Sequence, residues 1–124
     1  MSEILFKELS FAVFGTAIEV YNTLGSGFLE AVYQKALAHE FNLRGISFAE
    51  QVRLPVTYKG VLIGEYIADF VVDEKIIVEI KAVSHFKNKH QAQAMHYLAA
   101  TGHQLAILLN FGGHDKVEQW RIVR

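Results

Sequence analysis

The sequence contains no cysteine, and its 124 residues include a single proline. The lack of cysteine excludes structural disulfides and thiolate metal sites, which fits a reducing compartment. No apolar run approaches the ~20 residues that a membrane-spanning helix needs. The N-terminal segment contains Glu3 and Glu8, where a secretory signal would carry positive charge. We therefore expect a cytoplasmic protein with no membrane partner.

The sequence also lacks an excess of positive charge. Its 12 lysines and arginines stand against 13 aspartates and glutamates, for a net charge of −1. Domains dedicated to nucleic-acid binding are usually basic, so any such affinity must come from a local patch or through a metal ion. Apolar residues make up 52% of the chain and charged residues 20%, which is typical of a globular protein with a core. We expect residues 1–124 to form a single domain.

Apolar periodicity predicts an α/β domain with the element order ααβββαββ. Helices are predicted over 3–22, 28–43 and 89–101, and strands over 52–58, 62–72, 76–81, 104–110 and 116–122. Pro55 indicates that the first strand lies at a sheet edge or is distorted at that position, because proline cannot donate a ladder hydrogen bond. The strand–helix–strand passage from Ile76 to Asn110 predicts a parallel pair, and therefore a mixed sheet flanked by helices.

Glu79 occupies an unusual place, in the middle of the third strand, which is otherwise apolar until Lys81. An unpaired buried carboxylate costs several kcal/mol, so something must compensate Glu79. Lys81 lies two residues on and therefore points to the same face. If the preceding turn holds the three residues 73–75, Asp69 on the second strand sits opposite Glu79, and the two carboxylates share a face. A two-residue turn would send them to opposite faces.

Two interpretations of these charges stay open from the residues alone. Carboxylates on facing strands lie ~5 Å apart at the β-carbon and repel each other. A hard cation such as Mg²⁺, held by Asp69 and Glu79, would remove that conflict. Alternatively, Lys81 forms an ordinary ion pair with either acid, and the group is purely structural.

The order of these residues carries a resemblance to a known family. An aspartate on one strand, then Glu79-x-Lys81 on the next strand, then a helix, resembles the PD-(D/E)XK nuclease superfamily. Ala68 stands where that superfamily usually has proline. Four further segments narrow the resemblance to its GxxExxY family: residues 27–33 (GFLEAVY), 93–97 (QAMHY, similar to Q-x-x-x-Y), 108–112 (LLNFG) and 120–123 (WRIV).

This resemblance implies a restriction-endonuclease-like core and Mg²⁺- or Mn²⁺-dependent hydrolysis of nucleic-acid phosphodiesters. The expected partner is nucleic acid, with DNA favoured over RNA. It implies that Asp69, Glu79 and Glu30 bind the metal. It also implies that Lys81 acts in catalysis with help from Glu30, Gln93 and Tyr97.

Several of these residues also have plain structural interpretations. Glu30 is well placed to be an acid favoured by the dipole of the second helix, and Tyr33 and Tyr97 to be packed aromatics. Lys87 and Lys89, with His90, lie in an acid-free run that is the best candidate for contacting a nucleic-acid backbone. The alternative is a solvated loop.

Other functions and partners fit the same sequence. The net charge of −1 favours a catalytically silent binding or assembly module with the nuclease fold. A metal-dependent hydrolase of a small phosphate ester is another alternative, and it predicts a closed pocket over Asp69 and Glu79. Phe6, Phe11 and Phe14 lie off the main apolar stripe of the first helix, which makes a homodimer surface plausible.

Overall fold

The computed structural model describes residues 4–124. These residues contain three helices and five strands in the predicted order. The elements are α1 (Lys7–Leu24), α2 (Glu30–Leu43), β1 (Phe48–Tyr58), β2 (Val61–Val72), β3 (Ile76–Lys81), α3 (Asn88–Thr101), β4 (Leu105–Asn110) and β5 (Glu118–Val123).

The five strands form one mixed sheet in the order β1-β2-β3-β4-β5. Only β3 and β4 run parallel, joined through α3, and the other neighbours are antiparallel. The mixed sheet and its parallel pair are therefore confirmed. Pro55 lies on β1, at the sheet edge, as the sequence predicts.

Two predicted boundaries are wrong by about four residues. The first helix is predicted from residue 3, which lies outside the described residues, but α1 begins only at Lys7. The physical reason is Phe6, whose φ of 50° cannot continue a right-handed helix. The first strand is predicted from residue 52, whereas β1 begins at Phe48, which pairs with Val72. The polar residues that follow Phe48 hide this part of the strand in the sequence.

The sheet separates two hydrophobic cores. The α1–α2 core fills the space between the sheet and the first two helices, and its β3 members are Ile76, Val78 and Ile80. The α3 core lies on the opposite face and contains Ile77 from β3 together with Leu98 from α3. Alternate residues of β3 therefore serve opposite faces, as expected for a central strand.

The edge hairpin changes face along its length. On β2, Tyr66 and Ala68 belong to the α3 core, whereas Phe70 and Val72 belong to the α1–α2 core. These residues are all even-numbered and would share one face of a regular strand. The switch coincides with Gln51 on the paired strand β1, which has a φ of 48°. Asp69 lies at this irregular point.

Phe11 is the only one of the three phenylalanines proposed for a dimer surface that is strongly exposed, at 63%. Phe6 and Phe14 instead pack against the α1–α2 core, which corrects that part of the prediction. The homodimer itself stays a prediction. Within residues 4–124, no helix has the length and apolar character needed to cross a membrane.

Candidate active site

The turn between β2 and β3 holds Asp73, Glu74 and Lys75, because Val72 pairs with Ile76. This confirms the three-residue turn on which the predicted facing of the two acids depends. The backbone pairing continues as far as Phe70 opposite Val78. Asp69 and Glu79 come next in the same register, at the point where the regular ladder ends.

Asp69 and Glu79 bridge the two strands there with their side chains. The Asp69 backbone N–H donates to Glu79 Oε1 at 3.2 Å, and the Ile80 backbone N–H donates to Asp69 Oδ2 at 2.8 Å. Each carboxylate thus uses one oxygen to bind the backbone of the opposite strand. Among the described residues, Glu79 Oε2 and Asp69 Oδ1 accept no hydrogen bond, and neither oxygen is sealed from solvent. The structure therefore brings the two predicted metal ligands together and leaves one oxygen of each available.

Tyr66, which was not predicted from the sequence, completes the surroundings of Glu79. Its hydroxyl donates to Glu79 Oε1, the oxygen that also accepts the Asp69 N–H. Its ring stacks on Tyr97 of α3, with ring centroids 3.6 Å apart and planes inclined by 9°. The available sequence signal was its position three residues before Asp69, on a strand that faces α3. Its contact with Tyr97 is remote in sequence and could not be read from local pattern.

The protonation of Glu79 reflects its burial. The pKa of Glu79 is raised from 4.5 to about 7. Burial is the largest cause, and the negative charge of Asp69 adds to it, while the Tyr66 hydroxyl, the Asp69 amide and Lys81 act in the opposite direction. Burial and the neighbouring Glu79 also raise the pKa of Tyr66, which therefore remains a hydrogen-bond donor. Two carboxylates in one partly buried site repel each other unless a cation lies between them.

Lys81 shares a small cavity of about 70 Å³ with Glu79 and Tyr66. Among residues 4–124, no ion pair within 4.0 Å involves Lys81. The alternative of an ordinary Lys81 ion pair with Asp69 or Glu79 is therefore wrong. The ammonium group of Lys81 lowers the pKa of Glu79 by its charge, without forming an ion pair with this carboxylate among residues 4–124.

Asn110 fixes the chain that follows Lys81. This fully buried side chain accepts the N–H groups of Val83 and Gly112 at 2.9 and 3.0 Å. Its amide donates to the Val83 carbonyl and to Glu118 Oε1, both at 2.8 Å. Gly112 is required beside it, because a β-carbon there would lie 2.3 Å from the Val83 carbonyl oxygen. Segment 108–112, one of the family-like motifs, thus has a structural role in holding the end of β3.

An open groove of about 710 Å³ runs from Lys81 along α3. The other residues that line it are Lys89, His90, Gln93, His96 and Tyr97. The small cavity at Glu79 adjoins this groove, because both are lined by Lys81, His90, Gln93 and Tyr97. Among the residues predicted to contact nucleic acid, Lys89 and His90 line the groove and the exposed Lys87 does not.

His90 contributes to this groove as a neutral ring. Burial lowers its pKa, and the charges of Lys81, Lys89 and Lys87 lower it further. Its Nδ1 accepts the backbone N–H of Lys87 at 3.0 Å, so a neutral ring carries its hydrogen on Nε2. The predicted basic run therefore offers lysine charges and one neutral imidazole donor.

Gln93 and Tyr97 face each other one turn apart on α3, where Gln93 Nε2 donates to the Tyr97 hydroxyl at 3.4 Å. Both line the groove beside Lys81, and their part in catalysis stays a prediction. Tyr97 is also the half-buried partner of Tyr66, so the interpretation of Tyr97 as a packed aromatic holds together with its place in the cleft.

Glu30 is not brought into this group. It is an exposed residue in the first turn of α2 and has no hydrogen bond or ion pair to Asp69, Glu79 or Lys81 in the described part of the chain. The α2 residue that reaches the site strand is Gln34, one turn later, whose Nε2 donates to the Asp69 carbonyl at 3.4 Å. The structure thus fits the helix-dipole interpretation of Glu30, and its metal-binding role stays a prediction.

Tyr33 of the same motif is a core residue. It is fully buried, donates to the Gly25 carbonyl at 2.7 Å, and stacks on Phe111 with ring centroids 4.5 Å apart. Gly27, with a φ of 107°, allows the loop before α2 to turn over this ring. The motif over 27–33 therefore anchors α2 to the sheet beside the site.

The donor set suits a small hard cation. Among residues 4–124, no three acidic or histidine side chains converge as a complete protein cage. Mg²⁺ does not require one, because it is commonly bound by one or two carboxylates and keeps several waters or substrate oxygens. The free oxygens of Asp69 and Glu79 meet that requirement, whereas Zn²⁺ would need further protein ligands.

Comparison with known proteins agrees with this architecture. The family model of the PD-(D/E)XK nuclease superfamily matches residues 7–122. The crystal structure of SSO0001 aligns with a TM-score of 0.59 and 18% identity, over 76% of this chain and 49% of that one. An alkaline exonuclease from Laribacter hongkongensis (LHK-Exo) aligns with a TM-score of 0.46 and 14% identity, over 100% of this chain and 72% of that one.

This chain thus spans about half the length of the SSO0001 chain that it matches, at 49%. No match was found among curated proteins. The mixed sheet flanked by helices is confirmed as a restriction-endonuclease-like fold. Because the family model extends over nearly all of the sequence, the chain belongs to the PD-(D/E)XK nuclease superfamily.

Proposed function

We propose that this chain is a nuclease that hydrolyses nucleic-acid phosphodiester bonds with Mg²⁺ or Mn²⁺, and that it belongs to the GxxExxY family. The observation that carries the proposal is the bridge between Asp69 and Glu79. Among residues 4–124, it leaves Asp69 Oδ1 and Glu79 Oε2 without a hydrogen bond, and Lys81 nearby without an ion pair. A structural cluster would be expected to neutralise these charges among its own members.

A bound divalent ion would supply a Lewis acid that polarises the phosphate and lowers the pKa of a water. Asp69 and Glu79 are the residues that would hold it. In the overall reaction a water oxygen forms a new bond to phosphorus, the bond from phosphorus to one ester oxygen breaks, and that oxygen leaves with a proton as a hydroxyl.

Lys81 is suited to stabilise the charge on the reacting phosphate and to orient the attacking water. It projects from β3 onto the same side as Glu79, at the junction of the cavity and the groove. Its backbone carbonyl accepts the Phe111 N–H at 2.9 Å, so the strand end that carries it is held in place. A preorganised charge of this kind acts without costly rearrangement.

The groove favours a polynucleotide over a small phosphate ester. A small-ester hydrolase predicts a closed pocket over the two acids, but the cavity at Glu79 shares four lining residues with the open groove along α3. The exposed residues Lys89, Gln93 and His96 line that groove and give it a polar, partly cationic surface. Such a surface can bind a phosphate backbone, and DNA is the proposed partner.

The proposal is tested by incubating the purified protein with labelled single- and double-stranded DNA and RNA, with Mg²⁺, Mn²⁺ or EDTA. We expect cleavage that requires the metal. Lys81→Ala should lower the rate by roughly 100- to 1,000-fold, the typical effect of removing one charge-stabilising group. Lys75→Ala is the matched control, because Lys75 pairs with Asp73 on the β2–β3 turn and lines neither the cavity at Glu79 nor the groove.

Calorimetry with Mn²⁺ separates this proposal from a silent binding module. A nuclease of this design binds Mn²⁺, and Glu79→Gln weakens the binding, whereas Glu65→Gln, on the exposed pair with Arg53, does not. Nucleic-acid binding with neither Mn²⁺ binding nor cleavage would overturn the proposal in favour of the binding module.

A further inference from the structure

Tyr66 has a hydroxyl that makes one specific contact, with a single oxygen of Glu79. The same oxygen, Oε1, accepts the Asp69 backbone N–H at 3.2 Å. Two donors therefore converge on Oε1, while Oε2 accepts no hydrogen bond in residues 4–124 and is not sealed from solvent. The two oxygens of the Glu79 carboxylate therefore differ in their hydrogen bonding.

The position of the Tyr66 hydroxyl is itself held by packing. The residue is 8% exposed and belongs to the α3 core, and its ring lies flat against Tyr97 at a centroid distance of 3.6 Å. It lies on β2, the strand that also carries Asp69, so the donor and the second acid are fixed to the same element. A side chain locked in this way restricts the rotation of the Glu79 carboxylate.

From this arrangement, and on the basis of the proposed metal-dependent function, we infer that Tyr66 is a positioning residue that makes Glu79 a one-oxygen ligand. The hydroxyl and the Asp69 amide occupy Oε1, so Oε2 is the oxygen that would bind a cation. Glu79 thereby contributes a single donor, which suits the octahedral shell of Mg²⁺ or Mn²⁺ with its waters. Ca²⁺, which has more ligands and accepts bidentate carboxylates, is disfavoured.

The decisive variant is Tyr66→Phe, which keeps the ring and its stack on Tyr97 and removes only the donor. Mn²⁺ affinity, measured by calorimetry, should fall by roughly 10- to 100-fold, the usual effect of losing a partner that orients a metal ligand. The affinity for Ca²⁺ should fall less or rise, because Oε1 becomes free for bidentate binding. The ratio of the two affinities is a readout that a purely structural role for Tyr66 would not move.

Tyr58→Phe is the matched control. Tyr58 lies on the same hairpin, is 59% exposed, and donates no hydrogen bond within the described residues. Both of its metal affinities should equal those of the wild type. Thermal unfolding in EDTA, recorded for both variants, checks that the comparison is made between folded proteins.

A second measurement does not depend on the folding of any variant. In crystals of the wild type soaked with Mn²⁺, the ion should contact Glu79 Oε2 and leave Oε1 to Tyr66 and Asp69. A bidentate Glu79, or an unchanged ratio of Mn²⁺ to Ca²⁺ affinity in Tyr66→Phe, overturns the role of Tyr66 while leaving the nuclease proposal intact. A wild type that binds no Mn²⁺ overturns both.

Discussion

The two faces of the sheet differ in what their side chains can do, although one strand supplies both. Ile76, Val78 and Ile80 of β3 enter the α1–α2 core, which is built of apolar and aromatic side chains. The alternating residues Ile77, Glu79 and Lys81 of the same strand face α3. The last two of them bring a carboxylate and an ammonium group to that face. Stability and chemistry are thus separated by the two-residue period of a single strand.

This separation makes a strong prediction for the α1–α2 face. Phe41 is fully buried and packs against Phe48 and Phe70, with both ring-centroid distances at 5.4 Å. Phe41→Ala should lower the free energy of unfolding by about 3–5 kcal/mol, measured by urea denaturation, because it removes a large core side chain. The protein that stays folded should keep its affinity for Mn²⁺.

Phe11→Ala is the control for Phe41→Ala, since Phe11 is on α1 and 63% exposed. Its effect on stability should stay within about 0.5 kcal/mol. If Phe41→Ala instead removed Mn²⁺ binding without destabilising the fold, the two faces would not be separate in the way described.

On the α3 face, substitution of Glu79 should raise the free energy of unfolding, whereas Phe41→Ala lowers it. Because the folded-state pKa of Glu79 is raised from 4.5 to about 7, the folded protein holds this proton more tightly than the unfolded chain. Its contribution to stability is complete below pH 4.5 and is lost as the pH rises through about 7. In EDTA, Glu79→Gln should therefore be more stable than the wild type above pH 7, by about 3 kcal/mol.

The measurement is urea denaturation of both proteins between pH 4 and pH 8, with the difference in unfolding free energy plotted against pH. The difference should be small near pH 4, should grow between about pH 4.5 and pH 7, and should level off above pH 7. A glutamine variant that is less stable than the wild type at every pH would show that the Glu79 carboxylate is a structural group. The contrast between the faces would then be lost.

The smallest effect is expected for Lys89→Ala, at the solvent-exposed groove on the α3 face, and it concerns oligonucleotide binding. Lys89 is exposed and lines the groove, so Lys89→Ala should weaken oligonucleotide binding in EDTA modestly and for all sequences alike. The slope of log affinity against log salt should become shallower by about 1, since one phosphate contact is lost. Fluorescence anisotropy at several salt concentrations measures this slope.

Lys35→Ala tests whether the effect belongs to the α3 face. Lys35 is exposed on α2, across the sheet from the groove, and its removal should leave the slope unchanged. Equal slopes for the two variants would mean that nucleic acid binds without preference for either face.

The sequence was sufficient where a local rule applied. Asp73 and Glu74 are neither of the residues, glycine and asparagine, that two-residue hairpins prefer, and this favours the three-residue turn whose register brings Asp69 to Glu79. Pro55 marked the edge strand for the same kind of local reason. These features depend on a few neighbouring residues, and the structure confirms them.

The sequence was insufficient where contacts between distant residues decide the arrangement. Tyr66 acquires its role only by meeting Tyr97 and Glu79, which come from other elements. The early start of β1 is hidden by the change of face at Gln51, which interrupts the alternation that marks a strand. Glu30 illustrates the converse, because the motif that contains it indicated a ligand and the structure places it in an exposed first turn.

The change of face along β2 has a consequence for how the molecule unfolds. Tyr66 and Ala68 are buried in the α3 core, and Phe70 and Val72 are buried in the α1–α2 core. Neither core can therefore unfold without disrupting β2, which contributes to both. Asp69 lies at the crossover between them. Loss of the site should therefore coincide with global unfolding in a single cooperative transition, and the amide hydrogens of Asp69 and Ile80 should exchange among the slowest in the protein.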